Sequence, residues 1–148
     1  MATSEIKLAI SSRLENVALM GMAVNKMCSV TPLSEIESLQ VELCVVEACN
    51  NVIKHGYGHE PHHELEVVVT LGLDRILISI RDLGIARKVV ATPSLNYDPD
   101  CLATLPENGM GLFLIHQIMD HVHYETTEGR NVLTLTKLFH SNSGPSRF

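Results

Sequence analysis

Three short segments hold residues whose types and spacing could do chemistry. In the first, Glu47, Asn51 and His55 recur at i, i+4 and i+8 within a helical pattern, which lines them along one stripe. An Asn carbonyl oxygen can ligate Mg²⁺, and a carboxylate one turn away can take a proton from an attacking hydroxyl. A polar stripe beside an apolar face is also what an ordinary solvated helix shows, so this segment alone decides nothing. The second is Asp82-Leu83-Gly84, where an apolar strand pattern stops. An Asp there can cap the next turn, or it can accept from the amino group of an adenine while Gly84 lets the backbone approach the base. The third is Asn108-Gly109-Met110-Gly111-Leu112, a glycine-bearing loop that opens a helical pattern. Unpaired backbone N–H groups at such a start form a ready phosphate site.

The elements that must position these residues follow from hydrophobic period. Residues 5–10 alternate polar and apolar, the period of a half-buried strand. Ser11 and Ser12 offer N-cap oxygens to a helix carrying Leu14, Val17, Ala18, Gly21 and Val24, which Thr31-Pro32 stops. Ser34 and Glu37 have capping-box spacing ahead of a long helix over residues 35–55. Its apolar residues are Ile36, Leu39, Leu43, Val46, Val52 and Ile53, of which Leu43, Val46 and Ile53 are expected to face a core. Two β-branched runs, 65–71 and 76–81, flank Gly72-Leu73-Asp74 and predict a hairpin. Residues 92–108 hold three prolines and predict a long irregular connection of the kind that serves as a lid. A short apolar helix and a second hairpin around residues 128–131 complete the chain. The order β-α-α-β-β-lid-α-β-β predicts an α+β fold, a two-layer sandwich with one mixed, mostly antiparallel sheet covered on one face by helices. Residues 1–139 read as one domain and 140–148, rich in Ser, Gly and Pro, as a flexible tail.

Composition excludes several classes. With 148 residues and 45% hydrophobic content the chain has material for one globular core. It has no Trp and 4% aromatics, so that core must be aliphatic. A net charge of −6, with no Lys/Arg run, argues against nucleic acid as a partner. No apolar run is long enough to span a bilayer, and residues 1–10 lack the pattern of a secretion signal. Cys28, Cys44, Cys49 and Cys101 show no CxxC spacing and read as structural thiols in a reducing cytoplasm. Of the histidines, His59, His62 and His63 flank Pro61 in what reads as a solvated loop, and His121 and His123 have no obvious completing ligand.

The order of the three segments carries more than any one of them. E-x-x-x-N on a helix, then D-x-G after a strand, then a lid, then G-x-G-L at a helix start resembles the GHKL ATPases. Residues 42–57, 107–115, Met119-Asp120 and Leu135-Thr136-Lys137 resemble one branch especially closely, the bacterial anti-sigma-factor serine kinases. The resemblance spans roughly residues 5 to 139. It implies a Bergerat-type ATP-binding fold, ATP or ADP with Mg²⁺, and Glu47 as the general base that activates a substrate serine. It further implies Asn51 as the Mg²⁺ ligand and His55 as a lining residue of the nucleotide pocket. Asp82 and Gly84 would hold adenine, while Asn108, Gly109, Met110, Gly111 and Leu112 would hold phosphate. The implied partners are a STAS-domain anti-anti-sigma protein, a sigma factor and a second copy of the chain.

The sequence departs from the superfamily at three places. Ala86 stands where a Gly is usual, no Arg or Lys lies between Lys88 and the glycine loop, and Asn131 and Val132 occupy the region of an adenine-contacting Thr. Two functions remain open at this point. One is a serine kinase acting on the STAS protein. The other is a nucleotide-gated switch that sequesters a regulatory protein and needs no catalytic base. A histidine-kinase catalytic fragment and a plain structural sandwich fit less well.

Overall fold

A computed structural model describes residues 3–84 and 110–140, with the side chain of Met110 excepted. The expected lid, Asn108, Gly109 and the tail from residue 141 lie outside the described residues. The elements run β1 (Ser4–Ser11), α1 (Leu14–Cys28), α2 (Glu35–Asn51), a π-helical turn (Val52–Gly56), β2 (Glu64–Leu71), β3 (Arg75–Asp82), α3 (Met110–Ile118), β4 (His121–Thr127) and β5 (Arg130–Leu138). The strands form one open sheet in the order β1-β2-β3-β5-β4, and each pairing is antiparallel. The α+β two-layer sandwich expected from element order is the fold observed.

Alternation along the strands sets the two faces of the sheet. Leu65, Val67 and Val69 of β2, Ile76, Ile78 and Ile80 of β3, and Leu135 of β5 are buried beneath the helices. They meet Val17, Met20 and Val24 of α1, Val41, Cys44, Val45, Ala48 and Cys49 of α2, and Ile115 of α3 in one aliphatic core. The second hairpin turns tightly through Glu128 and Gly129, both at positive φ (52° and 77°). That pair of left-handed residues is the two-residue turn whose twist matches the flanking strands.

The capping box forms as expected. Ser34 Oγ accepts from Glu37 N–H at 3.1 Å and Glu37 Oε1 accepts from Ser34 N–H at 3.1 Å, an arrangement worth about 1 kcal/mol. Two other expectations fail. Ser11 and Ser12 do not cap α1; its N-cap is Arg13, with no side-chain bond. Ser12 is instead buried and tied to the loop before β2, where its N–H donates to the His63 carbonyl at 2.8 Å.

Of the three residues expected to face a core from the long helix, Ile53 is buried and Val46 packs against the core, but Leu43 does not. Ile36, Leu39 and Leu43 are 70%, 58% and 40% exposed, while Ser38, Val41, Val45 and Ala48 are buried. The two sets are offset by two residues, about 200° around the helix. Both have a regular helical period, so period alone could not say which one faces inward. α1 and α2 approach closely at Gly21, where an added Cβ would lie 2.7 Å from Val46 Cγ2.

Candidate functional site

Glu47 and Asn51 sit in the last turns of α2, half-buried and one turn apart. The start of α3 presses against them. A Cβ built on Gly111 would lie 2.7 Å from Glu47 Oε2 and 3.6 Å from Asn51 Nδ2. Without a side chain at position 111, the first turn of α3 comes this near the Glu47 carboxylate without displacing it. The far end of α3 is held by Lys137, whose ammonium donates to the Ile118 carbonyl at 2.8 Å, a charge placed favourably at a helix C-terminus. Asp120 adds a bond from Leu138 N–H at 2.7 Å.

His55 does not continue the α-helical line of Glu47 and Asn51. After Asn51 the chain widens into a π turn, with Tyr57 N–H donating to the Val52 carbonyl at 2.8 Å across five residues. Such bulges recur at functional sites because one wide turn re-aims everything after it. Here it leaves His55 exposed and buries Gly56 against the end of β3.

At that end the backbones of two glycines touch. Gly56 lies 3.6 Å, measured from an ideal Cβ, from Asp82 Oδ1, and an ideal Cβ on Gly84 would lie 2.6 Å from the Gly56 carbonyl. Asp82, almost fully buried, accepts from Gly84 N–H at 2.8 Å and from Asn131 Nδ2 at 2.9 Å, both on Oδ1. Asn131 is fully committed: it also donates to the Gly84 carbonyl at 2.9 Å, and its Oδ1 accepts from Thr126 Oγ1 at 2.9 Å. Tyr57 completes the cluster. Its hydroxyl donates to the Glu64 carbonyl at 2.6 Å and accepts from Leu83 N–H at 3.0 Å, and burial pushes its phenol above the ordinary value.

The structure therefore brings Glu47, Asn51 and Gly111 together, and Asp82 and Gly84 together. The two groups share one wall, residues 47–56. Leu112 follows Gly111 in α3 and is half-buried. Gly56, Tyr57 and Asn131 are members of this site that motif spacing did not single out. Asn131 could have been found from hairpin register, since β5 pairs it directly with Asp82.

Residues 10–137 match the histidine kinase-like ATPase domain. The chain belongs to that family, on its anti-sigma-factor serine-kinase branch. It is 34% identical over 122 residues to the anti-sigma F factor of Oceanobacillus iheyensis, covering 80% of this chain and 81% of that protein. It is 28% identical over 135 residues to the serine-protein kinase RsbW of Bacillus cereus, covering 87% and 82%. Among solved structures, the SiaB–SiaC complex of Pseudomonas aeruginosa matches with a TM-score of 0.59 at 15% identity, over 90% of this chain and 88% of that one. The RsbU and RsbW domains of a Mycobacterium tuberculosis protein match with a TM-score of 0.59 at 12% identity, over 91% of this chain and 32% of that longer one. At such identities the structural likeness speaks for the fold. Membership in a kinase-like ATPase family makes this a nucleotide-binding domain. Among the described residues no helix is long and apolar enough to cross a membrane.

Proposed function

We propose that the protein is an ATP-dependent protein-serine kinase of the anti-sigma-factor type, with a STAS-domain antagonist as its substrate. The observation that carries this reading is the packing of Gly111 against both Glu47 and Asn51. It gathers a carboxylate, an amide and a helix start at one point, where phosphoryl transfer asks mainly for positioning and charge neutralisation. A switch that only binds nucleotide has no use for a carboxylate there.

In this reading Asp82 Oδ2 accepts from the adenine amino group, and Asn131 holds the carboxylate in place by occupying Oδ1. Gly84 and Gly56 keep side chains away from the base, and His55 lines the edge of the pocket. Backbone N–H groups of Gly111 and Leu112, in the first turn of α3, would face the phosphates, and the resemblance assigns the same role to Asn108, Gly109 and Met110. The Asn51 carboxamide oxygen is a hard donor of the kind Mg²⁺ takes. Bound there, the ion would offset phosphate charge. Glu47 takes the proton from the substrate serine as its oxygen attacks the γ-phosphorus; the new O–P bond forms while the bond to the β-phosphate oxygen breaks, releasing ADP. The resemblance to anti-sigma factors supports a sigma factor as the alternate partner, a homodimer as the assembly and the cytoplasm as the compartment.

The test is incubation of the protein with ATP, Mg²⁺ and a purified STAS-domain partner, beside Glu47→Ala. Phosphoserine on the partner that disappears in the variant is the expected result. No phosphoserine from either protein, with ADP binding intact, would replace this reading with a nucleotide-gated binding switch.

A further inference from the structure

We infer that Glu60, His62 and His63, in the loop before β2, form a binding site for a divalent transition ion of the zinc class. The sequence suggests only a solvated histidine loop; the fold adds a carboxylate and a fixed backbone. One ligand atom from each of the three side chains lies within 4.8 Å of the others. Glu60 Oε2 is 2.6 Å from His63 Nε2 and 3.5 Å from His62 Nε2. Zinc bonds of about 2.0–2.2 Å in tetrahedral geometry separate ligand atoms by roughly 3.4 Å. The His62–Glu60 pair already has that spacing. The His63–Glu60 pair is held by a proton that an ion would displace, and a small outward swing of the exposed Glu60 side chain away from the half-buried His63 reaches it.

What distinguishes this cluster from a chance surface ion pair is its support. Ser12, buried at the end of β1, donates from Oγ to the Glu60 carbonyl and accepts from His63 N–H at 3.1 Å. The His63 ring stacks on Tyr57, with centroids 4.5 Å apart and planes inclined by 13°. Pro61 restricts the backbone between the ligands, and Gly58 and His59 set the loop's entry with φ of 56° and 64°. The backbone carrying all three ligands is thus ordered by packing that exists without an ion, and binding does not have to order it. Two imidazoles and a carboxylate suit Zn²⁺, with Ni²⁺ and Cu²⁺ as competitors, and leave a fourth position open.

Isothermal titration of the full chain with ZnCl₂, without nucleotide, tests the site. One ion per chain is expected, weakened at least about tenfold in H62Q/H63Q and unchanged in H121Q/H123Q, which removes the histidine pair on β4. Equal affinity in H62Q/H63Q, loss of binding in H121Q/H123Q, or no saturable binding at millimolar Zn²⁺ would each overturn the assignment. Thermal melts without metal check that the variants fold. If H62Q/H63Q does not, Glu60→Gln, which alters one exposed side chain, takes its place with the same expected weakening.

Discussion

Gly84 and Gly56 meet backbone to backbone: a Cβ on Gly84 would lie 2.6 Å from both the carbonyl carbon and the oxygen of Gly56 and 2.9 Å from its Cα. The π turn and the end of β3 are locked at this contact, which joins the helix-borne half of the site to the strand-borne half. Gly84→Ala has no flexible side chain to push aside. It should cost about 1–3 kcal/mol of stability, read from denaturant melts, and should weaken ADP binding in titration because the two walls move apart.

Gly111→Ala should behave differently. The atom its methyl group would strike is Glu47 Oε2, the free end of a half-buried side chain. The carboxylate can swing away, so melts should differ little from wild type. On the proposed function, phosphotransfer to a STAS-domain partner should fall as the Glu47 carboxylate is displaced. A variant that melts normally and phosphorylates at the wild-type rate would separate Glu47 from catalysis.

Replacing Glu47, the proposed base, by Gln keeps the shape and removes the ability to take a proton. Loss of general-base catalysis is worth about 10²–10⁴-fold, so phosphoserine formation should drop by that order. ADP affinity, measured in parallel, should stay near wild type.

Asn131→Leu leaves Asp82 Oδ1 without its donor from β5 and takes the donor from the Gly84 carbonyl. Stranding buried polar groups costs about 1–3 kcal/mol. Adenine recognition should suffer with it, because the carboxylate is free to rotate. Asn131→Thr, which restores a hydrogen-bonding side chain at the base of the hairpin, should recover part of the ADP affinity.

Burial pushes the Cys28 thiol to about 11 and the thiols of Cys44 and Cys49 to about 12. The sign follows from proton counting. Between pH 9, the ordinary thiol value, and pH 11 to 12, the unfolded chain has released protons that the native chain keeps. Stability is therefore full below pH 9 and falls as pH rises through that window. Urea melts from pH 8 upward should show the decline, and a Cys44→Ala/Cys49→Ala variant should show a shallower one. Alkylation of the native protein at neutral pH should be slow at all three positions.

The fold was largely legible from period and turn chemistry. The capping box at Ser34 and Glu37, the β2–β3 hairpin and the order of elements all formed as residue types required. The orientation of α2 was only partly legible: Val46 and Ile53 reach the core as expected, but Ile36, Leu39 and Leu43 make as regular a helical stripe as Val41, Val45 and Ala48. Ser12 misled for a related reason. A serine before a helix has one local use as a cap, and here a loop distant in sequence claimed its hydroxyl first.

What the sequence determined by itself was the inventory: a carboxylate and an amide one turn apart, an aspartate where a strand stops, and a glycine near the start of a helix. Each is a local feature, set by spacing along a regular element, and local rules suffice to read it. Tertiary structure alone decided which of these touch. The π turn after Asn51, the contact of Gly84 with Gly56 and the bond from Asn131 to Asp82 join residues up to 49 positions apart. Such contacts depend on how sheet and helices pack to exclude water, and no window of neighbouring residues encodes that.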